Sequence, residues 1–437
     1  MSDTVECLEG IPRMLKKTII IILILLSLKF FQLVFIPEIV IKLSEWIGFG
    51  IILVFLVISF VYNQEKQFKK HFTFPIILIL LAVAISMVAV NVYHDQSFLV
   101  TLHTQRAIYL YFAYFLLHYL KVSGEFLIKT FIAIAILYIG LYISQTVLYP
   151  TQITNAKMFL DRGTLRIFAP GAGYMIICYY IWLFLFFKTL KFKYILALLV
   201  TMAVVVMLGT RQVLATMLLI TIIFILQSKI IKSKFLLFLL IFSAIIPVYL
   251  LFQDILVQMV DVTREQSRGV ESNIRVRAAE FFLTDYFPKN KFAYFTGNGV
   301  AGSSAFGAKT LKYAEGYGYF QSDIGLIGEY SKFGVLFVLG VVIILFRTMT
   351  TRLPEKLLFI RYNFLGIIIT IVTGAGAFGT NASTILLNVM LLYMIDLHLN
   401  DENAFSNYPK LVKKDESRSG PTNKKRMMNR PVQARTF

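Results

Sequence analysis

Cysteine is nearly absent from this chain. Cys7 and Cys178 are its only two among 437 residues, the first near a polar N-terminus and the second inside an apolar run. That pair can build neither a disulfide framework nor a thiol metal site. Histidine is sparse as well. His71, His94, His103, His118 and His398 all lie outside the chain's one long polar stretch, which leaves only His94 and His103 as candidates for metal binding or nucleophilic work. Carboxylates do not cluster in any connection read below as outward, so no metal and no cofactor is expected. Charge of either sign is also scarce, at 15% of residues against 58% apolar, with a mean hydropathy of +0.73. That balance excludes a soluble domain. Two further absences matter: no small-residue cleavage motif follows the first apolar run, which reads as an uncleaved span, and no internal repeat supports a carrier built from inverted halves.

Apolar runs dominate instead. Stretches such as Thr18 to Leu26 and Ile76 to Val90 carry no charge at all, and a span needs roughly 20 apolar residues to cross ~30 Å of hydrocarbon. By that ruler the expected fold class is an all-α polytopic membrane protein with about twelve transmembrane helices. They fall near 18–36, 44–63, 74–92, 99–120, 126–148, 170–187, 194–209, 211–227, 235–252, 322–346, 357–375 and 382–397. Nine spans thus occupy 1–252 and three occupy 321–397, and a basic tail, 398–437, has the composition of a disordered segment.

The formal net charge of +19 is a topology signal, not a nucleic-acid footprint. Lys and Arg gather on alternate connections: Lys16 and Lys17; Lys66, Lys69 and Lys70; Lys188, Lys191 and Lys193; Lys229, Lys232 and Lys234; Arg347, Arg352 and Lys356; and the tail from Lys413 to Arg426. Short loops rich in Lys and Arg stay cytoplasmic, so both termini are expected inside and the span count even. The tail is expected to lie against anionic membrane lipid.

The same rule places 253–320, far longer than any other connection, on the outside. It carries Arg264, Arg268, Arg275 and Arg277. An amphipathic helix is expected over about 272–286, capped by Ser272 or Asn273, with Ile274, Ala278, Phe281, Phe282 and Tyr286 on one face. Arg275 and Arg277 point roughly 200° apart on such a helix, and local pairing with Glu271 and Glu280 is open to them. Further on, Gly297 to Gly302 fits G-x-G-x-x-G, but without the strand and helix that give that fingerprint meaning; a tight turn is the expectation.

Other arginines stand at the outer ends of spans: Arg162 and Arg166 ahead of span six, Arg211 in the short turn after span seven, and Arg106 about two turns inside span four. An arginine at membrane depth costs at least ~2.5 kcal/mol, so it is rarely there without a function. Guanidinium forks match phosphate oxygens, and convergent arginines suit a leaving group on which charge develops. Each could equally snorkel to headgroups or pair locally. Asp323 stands at the outer mouth of span ten with Glu329 about two turns deeper. A carboxylate there can act as a base towards a hydroxyl, or simply cap the helix.

Three short motifs bear a resemblance. Gly209-Thr-Arg-Gln-Val-Leu-Ala-Thr, Asn273-Ile-Arg-Val-Arg277 followed by Phe295-Thr-Gly-Asn-Gly299, and Ser322-Asp-Ile-Gly-Leu-Ile-Gly328 ending in Phe333-Gly334 resemble those of bacterial O-antigen and capsule polymerases (Wzy type) and the related O-antigen ligases. The resemblance covers about 160–380. It implies a GT-C-like glycosyltransferase of the inner membrane whose long loop is periplasmic. The implied donor and acceptor are undecaprenyl-pyrophosphate-linked glycans, a chain-length regulator protein is an implied partner, and Arg211, Arg166 and Arg275 or Arg277 are implied pyrophosphate ligands. The ligases place a histidine near the end of this loop, where the present chain has Gln321, Ser322 and Asp323, so Asp323 becomes the candidate for handling the acceptor hydroxyl. An O-antigen ligase and a lipid-linked sugar flippase or permease are the alternatives.

Overall fold

In the computed structural model the described residues are 12–62, 70–161, 164–227, 273–287, 291–372 and 377–401, with single positions at 246, 250, 253, 257 and 405. Loop residues Arg264 and Arg268, Arg162, and nearly all of the expected span at 235–252 and of the basic tail lie outside them.

The chain is a mostly helical membrane protein. Its elements are α1 (Arg13–Ser27), α2 (Glu38–Tyr62), α3 (Thr73–His94), α4 (Phe98–Thr104), α5 (Ala113–Leu120), α6 (Gly124–Leu148), α7 (Ala172–Thr189), α8 (Phe192–Met207) and α9 (Arg211–Gln227). In the long loop come α10 (Ile274–Leu283), α11 (Ala293–Thr296) and α12 (Ala305–Tyr317), and then α13 (Gly325–Thr350), α14 (Leu358–Thr370) and α15 (Ala382–Asn400). Among the described residues six helical stretches are long and apolar enough to cross a membrane: Glu38–Ser59, Thr73–His94, Gly124–Leu148, Ala172–Thr189, Gln321–Thr350 and Ala382–Asn400. Ile108–Leu120, Phe192–Met207 and Arg211–Gln227 are apolar but shorter.

Burial sorts these helices. Within its most apolar window α15 is 78% buried and α2 only 22%; α15 therefore runs through the centre, while α2 turns Val54 and Val57 outward. The central helix carries a buried carboxylate near its C-terminal end. Asp396 accepts from the Tyr114 hydroxyl at 2.5 Å and from the His71 amide at 3.2 Å, with His118 Nε2 at 3.1 Å. Fully satisfied, this network ties α5, α15 and the start of α3 together.

Three expected spans are not continuous helices. Helix α1 ends at Ser27, and Lys29, Phe30, Phe31 and Gln32 follow with φ between 49° and 56°. A left-handed turn of non-glycine residues costs about 1–2 kcal/mol per residue, and the 151–155 segment holds it in place. Thr154 Oγ1 donates to Phe31 O at 2.8 Å and Asn155 N to Gln32 O at 2.7 Å; Gln145 Oε1 in turn accepts from the Ile153 and Thr154 amides. The fourth span breaks after α4 and resumes through a 3-10 stretch, Ile108–Phe112, into α5. Arg106 sits in that break. The connection 149–169 contains a two-stranded antiparallel hairpin, β1 (Met158–Asp161) and β2 (Thr164–Ile167), with Phe159 opposite Arg166.

The third break is in α13. Gly334 has φ 74° and ψ −168°, which ends the intrahelical ladder locally. The freed carbonyls of Ser331 and Lys332 accept instead from the amides of Asn298 (2.9 Å) and Gly299 (2.8 Å). A broken helix is tolerated at membrane depth only where its backbone groups find such replacements. The turn at Gly297 to Gly299 is thus a plug for the broken helix, not a nucleotide fingerprint. Below the break α13 packs closely on α3: a Cβ at Gly340 would lie 2.9 Å from Pro75 O, the small-residue contact by which membrane helices approach.

Candidate functional site

The ends of several helices enclose a cavity of about 490 Å³. Its walls come from the turn after α1 (Lys29, Gln32), from Glu45 of α2, from Tyr138 of α6, from Phe168 to Pro170 ahead of α7, from Leu208 and Thr210 between α8 and α9, and from Thr380 and Asn381 ahead of α15. All these segments lie at the end of the bundle where the charge pattern expects the outside. A second, smaller cavity of about 210 Å³ shares Ile176 and Val213 with the first and is lined mainly by apolar groups such as Met217 and Leu387, with Asn363 and Asn388 among them.

Arg166 braces one wall. The β-hairpin presents its guanidinium to the turn at Gly209: Nε donates to Leu208 O at 2.9 Å, and Nη1 pairs with Asp161 at 2.7 Å. The rings of Phe159 and Phe168 flank it at 5.5 and 5.3 Å, a cation–π arrangement that favours Arg over Lys. Gly209 has φ +65°, and a Cβ there would meet the Arg166 side chain at 3.2 Å. Thr210, on the cavity wall, and Arg211, the first residue of α9, follow directly. Two arginines that sequence reasoning placed together are therefore on one structural unit, and Arg166 also pairs locally.

Arg106 lies behind the opposite wall, where its Nε meets Glu45 Oε2 at 2.5 Å. The other Glu45 oxygen faces Lys29 Nζ at 3.2 Å. Lys29 and Glu45 were missed in the sequence reading. The signal existed: both are charges inside expected spans, and the argument applied to Arg106 applies equally to them.

Glu329 is buried, and its Oε1 accepts from the amides of Phe378 (3.1 Å) and Gly379 (2.6 Å). Tyr111 donates to Phe378 O at 2.9 Å. The carboxylate thereby fixes the turn whose next residues, Thr380 and Asn381, line the cavity. It acts on the cavity's shape and does not itself line it. Glu329→Ala is expected to cost about 1–3 kcal/mol by orphaning those amides, and Glu329→Gln, which keeps one acceptor oxygen, distinctly less. Thermal melts of the detergent-solubilised variants check this; equal melting temperatures for the two would remove Glu329 from this role.

Asp323, Arg275 and Arg277 stand elsewhere. Asp323 is exposed in a short 3-10 turn, Gln321–Ile324, within 3.1 Å of Ser322 Oγ. It does not cap α13, which starts without a side-chain cap bond. Arg275 and Arg277 are both exposed on α10, where the Asn273 side chain caps the Arg275 amide. Helix α10 buries Ala278 and Phe282 against Val90, Tyr286, Phe306 and Ile324, whereas Ile274, expected on that face, is 47% exposed. Among the described residues Arg277 makes no ion pair with Glu280, and none of these three side chains lines the cavity. Of the two candidate histidines, His94 stacks on Phe306 and His103 accepts from the Trp46 indole at 3.1 Å; among the described residues no group of three metal-ligating side chains forms. A scan against protein-family models returns no match to this chain, and a search of curated proteins returns none either.

Proposed function

We propose that the chain is a polysaccharide polymerase of the bacterial inner membrane, a glycosyltransferase with about twelve spans, both termini cytoplasmic and the long loop periplasmic. A growing glycan on undecaprenyl pyrophosphate is the donor. Its sugar–phosphate bond breaks, the terminal sugar hydroxyl of a fresh lipid-linked repeat attacks that carbon and gives up its proton, and the lipid pyrophosphate leaves. The observation that supports this reading is a cavity of mixed polar and apolar lining, with Lys29 on its wall and the Arg211 turn beside it, that shares Ile176 and Val213 with a mainly apolar cavity. That pairing suits an amphiphile with an anionic head. Arg211, with Arg166 behind it, is the part of the proposed pyrophosphate set nearest this cavity; Arg275 and Arg277, exposed on α10, do not line it.

Asp323, which stands outside this cavity, is assigned to the acceptor hydroxyl on the motif resemblance alone. Asp323→Asn preserves shape and removes the base, so turnover is expected to fall by about 10²–10⁴-fold with normal expression. Undiminished polymer from that variant would take the role away from Asp323.

A flippase reading draws support from the broken helix α13. Yet the Ser331 and Lys332 carbonyls freed at Gly334 are already held by loop amides, which takes them away from a passing substrate. The deciding experiment supplies purified protein in nanodiscs with native undecaprenyl-pyrophosphate-linked repeats alone. A ladder of products supports a polymerase that needs neither nucleotide nor second acceptor. A blank gel with a confirmed substrate moves the assignment to the ligase, tested with a core-lipid acceptor, and then to transport.

A further inference from the structure

The Lys29–Glu45–Arg106 cluster is not explained by packing. One carboxylate shared by two cations leaves a net positive charge, and it does so at 6% exposure for Glu45. The two cations differ in place. Lys29 lines the cavity, whereas Arg106 does not and is further held by a bond from its Nη1 to His103 O at 2.8 Å. Glu45 would therefore keep a partner if Lys29 turned away. The backbone that presents Lys29 and Gln32 is the left-handed turn of four non-glycine residues, and such strain persists only where surrounding structure enforces it, often at binding sites. A separate observation also points to a missing ligand. Tyr138 and Thr210 line the same cavity, and among the described residues neither hydroxyl has a hydrogen-bond partner; Tyr138 is 1% exposed.

We infer that Lys29 is the anion-binding group of this cavity, exchanging Glu45 for a diphosphate while Arg106 keeps Glu45 neutralised. Gln32, Tyr138 and Thr210 supply the neutral donors. An ammonium paired with a buried carboxylate is a preformed cation whose counter-ion can be replaced without either charge entering the cavity alone. The inference deepens the proposed function by assigning it a residue, and its test reads binding and not polymerisation.

The full chain in nanodiscs is titrated with inorganic pyrophosphate and with farnesyl diphosphate at constant ionic strength. Calorimetry reports affinity, and a Trp182→Phe background makes Trp46, the neighbour of Glu45, the sole tryptophan reporter. Lys29→Asn removes the charge with a side chain that tolerates positive φ. It is expected to weaken both ligands by about tenfold or more, the weight of one charge-assisted hydrogen bond, while Lys29→Arg retains binding. Glu45→Gln removes the competing anion and is expected to tighten it. Undiminished affinity in Lys29→Asn, weaker binding in Glu45→Gln, or no saturable binding by wild type overturns the inference. Farnesyl diphosphate binding more tightly than pyrophosphate identifies a lipid-linked diphosphate as occupant, and equal affinities identify the free ion; either supports a diphosphate site. Lys29-dependent binding without a product ladder would sink the polymerase reading alone, and a ladder with Lys29-independent binding would sink this inference alone.

Discussion

Arg211→Ala is expected to stop chain growth, lowering polymer yield by about 10²–10³-fold, the usual loss when one preorganised donor to a developing charge is removed. Protein levels in the membrane should stay unchanged. Arg211→Lys should rescue poorly, because a single ammonium cannot reproduce a two-pronged contact with phosphate oxygens. Arg166→Ala should approach the same loss by another route, since it releases the Leu208 carbonyl and removes the ion pair to Asp161 beside the Gly209 turn. Acting through one turn, the two substitutions should be non-additive, the double variant falling little below Arg211→Ala. Gel analysis of surface polysaccharide alongside an immunoblot checks both. Wild-type chain lengths in Arg211→Ala cells would end the assignment.

Gly334→Ala and Gly297→Ala should be nearly as severe, but through folding. A Cβ on Gly334 would lie 2.0 Å from Phe295 O, and one on Gly297 2.4 Å from Lys332 O. Both residues also combine φ above 70° with ψ near 180° (74°, −168° and 71°, 172°), a region essentially reserved for glycine and costing about 1–3 kcal/mol otherwise. Clash and strain fall on the contact by which the Gly297–Gly299 turn closes the broken helix. The expected result is loss of monodisperse protein on size-exclusion chromatography and rapid proteolysis of the loop. Gly316→Ala, in α12 with nothing within 4 Å of the added carbon, is the control and should be neutral or stabilising by about 0.5–1 kcal/mol. Equal behaviour of all three variants would mean that the plug does not hold the fold.

The residues themselves show why part of this was legible. Spans such as α3, α6 and α7 match their expected positions to within two residues because lipid crossing imposes a length and a composition that a sequence displays directly. Asn273 as the cap of α10, and Ala278 and Phe282 on its buried face, follow from local rules of the same kind. The Gly209–Arg211 turn stood out because an arginine in so short a connection is costly. By contrast, nothing in Lys29 to Gln32 announces a left-handed turn; that conformation is imposed by Thr154 and Asn155, more than 120 residues away. The β-hairpin escaped because its strands are four residues long, and nothing in the sequence around Glu329 shows that its carboxylate holds the 378–379 backbone.

Sequence alone determined that this is a helical membrane protein with one long polar loop and arginines at the span ends, because hydropathy and charge are summed along the chain and need no partner. Tertiary structure decided which of those charges come together. It joined Arg166 to the Arg211 turn and Lys29 to Glu45 and Arg106, and it set Asp323, Arg275 and Arg277 apart on other elements. Distance between side chains from remote helices depends on where helices break and which backbone fills the break, and those events rest on contacts such as Gly297 against Lys332 that no local pattern encodes.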